Sequence, residues 1–274
     1  MREEALKQLL ARRWADPHSV LGAHASGGDV RFRILRPDAK AVAVRIGEKT
    51  LPLTPMADVA GVFEGTLKGA RPAPYELELE FDGGFKAREK DPYAFLPTLG
   101  AADLHFVGEG RHRRLWERLG AHPMTHQGVA GVAFVVWAPN ARAVALVGDF
   151  NFWSDQRHPM RTLGPSGLWE LFIPGATAGQ RYKFLVFPQR GEAFLKADPM
   201  AFRTEMPPLS ASVVQALDAY HWGDSKWLGA RKQSDAKHAP ISIYEVHLGS
   251  WARVPGEGNR SLTYRELEPR LADY

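Results

Sequence analysis

One stretch of this chain is written twice, and any fold it adopts has to accommodate both copies. "RPDAKAVAV" from Arg36 to Val44 matches "APNARAVAL" from Ala138 to Leu146, with Pro37 against Pro139, Lys40 against Arg142 and Val42 against Val144. "GVFEGTLKG" at Gly61 parallels "GLWELFIPG" at Gly167, and "YELELEF" at Tyr75 parallels "YKFLVF" at Tyr182. "DPYAF" at Asp91 then parallels "DPMAF" at Asp198. The offset grows from 102 residues at Pro37/Pro139 to 107 at Asp91/Asp198, as a few loop insertions would require.

Each copy is rich in strand patterns. "VRFRILRP" and "AVAVRI" alternate in the first, while "VAFVVWAP" and "AVALVGDF" run apolar in the second, all bounded by Gly, Pro, Asp or Asn. Short strands at this spacing, without a long helical pattern inside a copy, predict a mainly β chain of two immunoglobulin-like β-sandwiches in tandem. The expected order is a sandwich with a leading helix over 1–110, a linker helix over 111–124 and a second sandwich over 125–222. The linker helix is read from "RHRRLWERLG", where Leu115, Trp116 and Leu119 fall at helical spacing. In the tail, Ile241 to Leu248 reads as a buried-type strand. "SLTYRELEPRLADY" then opens a helix with Ser261 or Thr263 as N-cap, and Glu266 at capping-box spacing from Thr263. Strand then helix reads as the start of a βα unit, so 225–274 is expected to be the front of something longer.

Composition removes several classes. There is no cysteine, so disulfides and thiolate metal sites are out. No run of eighteen apolar residues appears, which argues against a transmembrane helix and a membrane partner. "MREEALKQLLARRW" lacks the apolar core of a signal peptide, so cytoplasm is the expected compartment. A net charge of +4 is too small to demand an anionic partner, and no nucleic-acid partner is expected. His105, His112, His122 and His126 lack metal-site spacing, and no phosphate loop or nucleophile elbow is present.

The copies diverge most after their second strand. The first has "GEKTLPLTPM" from Gly47 to Met56, where the second has "GDFNFWSDQRHPM" from Gly148 to Met160. The first copy does without these rings, so the scaffold does not need all of them. Exposed aromatics beside Asn and Asp suit sugars: a ring covers the apolar C–H face while amides and carboxylates bond the hydroxyls. Trp153 is the candidate platform, with Asn151 and Lys183 as polar partners and Trp169 extending the surface. Phe150 is expected in the core and Asp149 in a turn.

Several stretches resemble the glycogen branching enzymes, the 1,4-α-glucan branching enzymes of glycoside hydrolase family 13. They are "DPHSVLGAH" at Asp16, "LGAHPM" at Leu119, "VWAPNARAVALVGDFNFW" at Val136, "RHPM" at Arg157 and "YEVHLGSW" at Tyr244. The resemblance implies an N-terminal extension domain to about residue 110 and a family 48 carbohydrate-binding module to about 222. From about 225 it implies the first strand and helix of a truncated (β/α)₈ catalytic barrel. It also implies a retaining transfer: a carboxylate nucleophile cleaves an α-1,4 linkage, and a Glu first protonates the leaving oxygen, then activates a 6-hydroxyl to make an α-1,6 branch. The barrel strands that carry those carboxylates have no counterpart here, so no catalytic residue, metal or cofactor is assigned. The implied partners are α-glucan (glycogen, amylose, maltooligosaccharides) and the rest of the barrel, in a monomer. Glucan-binding relatives carry a second tryptophan before the Asp-Pro turn; Leu195 stands there. Two readings compete, a stand-alone α-glucan-binding protein and a purely structural scaffold. Debranching and trehalose-forming enzymes share the module, but the doubled sandwich and the Asp16 motif favour branching enzyme.

Overall fold

The computed structural model describes residues 2–218, 220–235 and 237–274. They fall into two compact units, 1–219 and 220–274. The larger unit opens with helix α1 (Arg2–Leu10), whose Leu6 and Leu9 are buried. Eight strands follow: β1 (Gly22–Ser26), β2 (Asp29–Leu35), β3 (Ala41–Ile46), β4 (Lys49–Pro52), β5 (Thr54–Pro55), β6 (Val62–Leu67), β7 (Glu76–Glu80) and β8 (Lys86–Glu89). They form two antiparallel sheets, ordered β1-β2-β6-β5 and β4-β3-β7-β8. Period-two alternation sends Val30, Phe32 and Ile34 of one sheet and Val42, Val44, Leu77 and Leu79 of the other into one core.

The second copy repeats the plan with β9 (Gly120–His126), β10 (Val129–Trp137), β11 (Ala141–Gly148), β12 (Arg161–Thr162), β13 (Leu168–Pro174), β14 (Arg181–Pro188), β15 (Phe194–Lys196) and β16 (Ser212–Val213). One sheet is β12-β13-β10-β9; the other is β11-β14-β15, with β16 also beside β14. The mainly β, antiparallel character expected from the repeat is therefore present.

The copies share more than strand order. Gly61 and Gly167 both take φ +76°, and a Cβ on either would stand 2.7 Å from the Cβ of Pro37 or Pro139. Each packs its turn against the matched proline, and each carbonyl accepts an N–H at 2.8 Å, from Arg36 or Ala138. Buried tyrosines close the far end of both copies. Tyr75 Oη donates to Asp91 at 2.6 Å and Tyr182 Oη to Asp198 at 2.5 Å. "LGAH" is duplicated too: His24 Nε2 donates to Leu21 O at 2.9 Å, and His122 Nε2 to Leu119 O at 2.8 Å.

Three expectations change. The helix between the copies is α2 (Ala101–Gly108), not 111–124. Gly110 at φ +67° stops it, with Arg111 N–H returning to Phe106 O at 2.9 Å. Residues 111–119 hold only a 3₁₀ turn, Leu115–Glu117, and the second copy begins at Gly120 rather than 125. The two copies share a core. One buried cluster runs from Leu6 and Leu9 of α1 through Leu21, Leu35 and Tyr93 to Phe134, Leu146 and Tyr182. Tyr93 Oη reaches Pro159 O at 3.2 Å, and Arg161 donates to Phe95 O at 3.1 Å, across the same seam.

The smaller unit holds α3 (Ser225–Gln233), a short antiparallel pair β17 (Arg253–Val254) with β18 (Arg260–Ser261), and α4 (Tyr264–Asp273). The capping box is in place. Thr263 Oγ1 accepts from Glu266 N–H, and Glu266 takes the Thr263 N–H at 2.8 Å. Residues 241–247 form no strand, however: Ile241 and Ile243 are each 83% exposed. Among the described residues no strand lies beside them, so their backbone groups lack the partners that would fix an extended conformation.

Candidate functional site

The aromatic loop leaves the end of β11. Gly148 pairs with Tyr182 of β14, Val147 pairs with Lys183, and Trp153 N–H returns to Gly148 O at 2.9 Å. The register therefore brings Trp153 and Lys183 to the same end of one sheet. Asp149–Asn151 make a 3₁₀ turn, and then Phe152 (φ 54°) and Trp153 (φ 60°) take the left-handed conformation in succession. Side chains with a Cβ rarely do so, and two in a row store backbone strain. What this geometry achieves is exposure. Phe152 is 87% exposed and Trp153 37% exposed, while Phe150 turns inward against Phe134, 5.3 Å between ring centroids.

Polar contacts lock the loop. Asp149 accepts from Trp153 Nε1 at 3.1 Å and from Arg181 Nη2 at 3.0 Å, and it also takes the Arg181 N–H at 2.8 Å. Burial works against its charge, but these donors, Arg181 first, hold Asp149 below the usual carboxylate range. Arg181 also pairs with Glu205 at 3.4 Å, and Lys183 Nζ donates to Ser210 Oγ at 2.9 Å. The loop after β15, which carries Glu205 and Ser210, is thus tied to the edge that carries Trp153. Lys183 and Leu185 alternate on the same face of β14, and Leu185 pairs with Leu195 of β15, which is half-exposed.

Two of the four predicted binding residues are elsewhere. Asn151 is fully buried, its Oδ1 accepting from Gly148 N–H at 2.9 Å and its Nδ2 donating to Leu146 O at 2.9 Å. The amide staples the turn and has little left for a sugar hydroxyl. Its Nδ2 also meets His158 Nδ1 at 3.0 Å, and burial, then Arg157, keeps that imidazole neutral. Trp169 is 3% exposed, paired with Val136 across β10 and donating to Ala138 O at 3.0 Å; it is core. Trp153 and Lys183 remain, and Phe152 joins them. Its exposure had no sequence signal beyond alternation with Asn151, because the left-handed pair rotates the ring out of the strand's period.

This loop lies inside the segment, residues 118–201, that matches carbohydrate-binding module 48 (isoamylase N-terminal domain). Residues 2–93 match the N-terminal domain of the alpha-1,4-glucan branching enzyme GlgB. The chain carries the N-terminal domains of the GlgB family. It is 50% identical over 272 residues to the 1,4-alpha-glucan branching enzyme GlgB of Myxococcus xanthus, covering 98% of this chain and 37% of that protein. It is also 50% identical over 268 residues to GlgB 1 of Streptomyces coelicolor, covering 98% of this chain and 33% of that protein. The chain thus spans about a third of the length of these relatives. Among solved structures, pullulanase type I of Bacillus subtilis in complex with maltose is similar at 17% identity and a TM-score of 0.34, over 73% of this chain and 27% of that one. That likeness is too distant to bear on the site.

Proposed function

We propose that this chain is the glucan-holding front of a 1,4-α-glucan branching enzyme, a retaining glycosyltransferase that cuts α-1,4 linkages and re-joins the chain at a 6-hydroxyl. The second sandwich binds α-glucan through Trp153 and Phe152, with Lys183 bonding hydroxyls at the same edge. The observation that carries this reading is the strained left-handed pair that holds two rings out of the core inside the module-48 segment. The reading includes the opening of the catalytic barrel within 225–274, with α4 as its first helix, no cofactor, a cytoplasmic setting and a monomeric chain. The reacting carboxylates lie outside these residues, so the chain alone forms no new α-1,6 linkages; their appearance by debranching assay would overturn that part.

Each stacked ring is worth about 1–2 kcal/mol, by analogy with base–aromatic stacking. The test is affinity electrophoresis with and without glycogen, comparing the parent with Trp153→Ala. Retardation of the parent that is lost in the variant supports a working glucan platform. Equal mobility of the parent in both gels overturns it. The shared core of the two sandwiches favours a second reading, in which both are scaffold only; that reading predicts no retardation.

A further inference from the structure

A cleft of about 520 Å³ opens along the seam between the two sandwiches, within the range of small-molecule sites. Its walls combine Tyr93, Phe150 and Ile173 with the charged side chains of Arg36, Glu89 and Arg157. Arg36 is fully engaged. Its guanidinium is bidentate on Asp38, at 3.1 and 3.2 Å, and its third arm meets Glu89 at 2.5 Å.

Arg157 is different. Its side chain is only 5% exposed, and its buried Nε has no hydrogen-bond partner among the described residues. Its terminal nitrogens stand 3.4 Å from Asp38 and 3.6 Å from Glu89, past the usual hydrogen-bond length. A guanidinium held this deep by charge alone leaves directional donors unspent, and this one lies on the cleft wall.

From this geometry we infer that the cleft is a second binding site for a short α-glucan, with Arg157 donating to its hydroxyls, Glu89 accepting from them, and Phe150 and Tyr93 facing the sugar's C–H surface. A neutral polyol fits better than an anion. Any anion reaching Arg157 would sit against the carboxylates of Asp38 and Glu89, whereas hydroxyls both donate and accept. The inference rests on the glucan reading above but concerns a separate surface, and the two can fail separately.

The experiment titrates the full 274-residue chain with maltoheptaose and follows two sets of NMR signals, the Arg157 Nε–H and the backbone amides of residues 148–153. Parent, Trp153→Ala and Ala130→Trp are compared. Ala130 is exposed on the cleft wall, so the indole fills the space without removing a core contact. The expected result is a saturable shift of Arg157 Nε–H that persists in Trp153→Ala and weakens at least tenfold in Ala130→Trp. If the loop amides move while Arg157 stays still, the cleft is overturned and the Trp153 platform stands. If Arg157 moves while the loop is silent, the platform falls and the cleft stands; if neither moves, both fall. Inorganic phosphate shifting Arg157 in place of maltoheptaose overturns the choice of a neutral ligand.

Discussion

The two sandwiches share their joints and differ in their outward faces. Both use a glycine against a proline, a buried Tyr–Asp pair and a histidine bonded to its own turn. On the face of the first that corresponds to the Lys183–Leu185–Leu195 face of the second, β7 and β8 carry ionic rungs. Glu80 pairs with Lys86 at 3.6 Å, Glu78 with Arg88 at 3.0 Å and Glu76 with Lys90 at 3.1 Å. Exposed pairs of this kind contribute about 0–1 kcal/mol each, so the ladder keeps the face solvated more than it stabilises it. The duplicated joints belong to the scaffold, and the exposed rings and aliphatics found in one copy are the ones the proposed glucan site uses.

The most severe way to break the comparison is at the glycines. Gly61→Ala and Gly167→Ala each force a Cβ into a proline and a side chain into the left-handed region. Each is expected to cost about 2–4 kcal/mol of unfolding free energy, measured by urea denaturation. A large loss in one copy and none in the other would show that the joints are not equivalent. Next come Tyr75→Phe and Tyr182→Phe, which strip a donor from a buried aspartate and are expected to cost about 1–3 kcal/mol each.

The aspartates themselves sharpen the comparison through pH. Burial pushes Asp91 up to about 6 against the opposing hydrogen bonds from Tyr75 and Tyr93, and burial raises Asp198 as well. A carboxyl whose folded-state value is raised contributes stability that is fully present below the ordinary 3.8 and is lost as pH rises to about 6. The parent is therefore expected to lose stability relative to Asp91→Asn across that window. A flat difference would show that Asp91 keeps its ordinary value in the folded state. The smallest effect is Phe152→Gly, expected to stabilise by about 0.5–1 kcal/mol through relief of the left-handed strain, read from the thermal midpoint.

Much of this was legible because a duplicated pattern states its own strands. Alternation in Val30–Leu35 and Ala41–Ile46 gave the sheets, and the Thr263/Glu266 spacing gave the cap. The inter-copy helix was misplaced because Leu115 and Leu119 have helical spacing, while Gly110 has already ended the helix upstream. Asn151 and Trp169 were misread for one reason: residue type shows what a side chain can bond, and only the tertiary fold shows that Gly148, Leu146 and Ala138 have already taken those bonds. Arg157 left no local trace, since its charge partners Asp38 and Glu89 lie in the other copy.

The core that runs through α1 and both copies has a consequence for how the chain can be divided. Sequence repeats invite the picture of modules that can be cut, swapped or lost one at a time. Here a cut between the copies would leave Leu6, Leu9, Leu21 and Tyr93 facing water on one side and Phe134 and Leu146 with gaps on the other. The repeat survives as a pattern in the letters, but as a physical object the two copies are one compact unit built around one shared core.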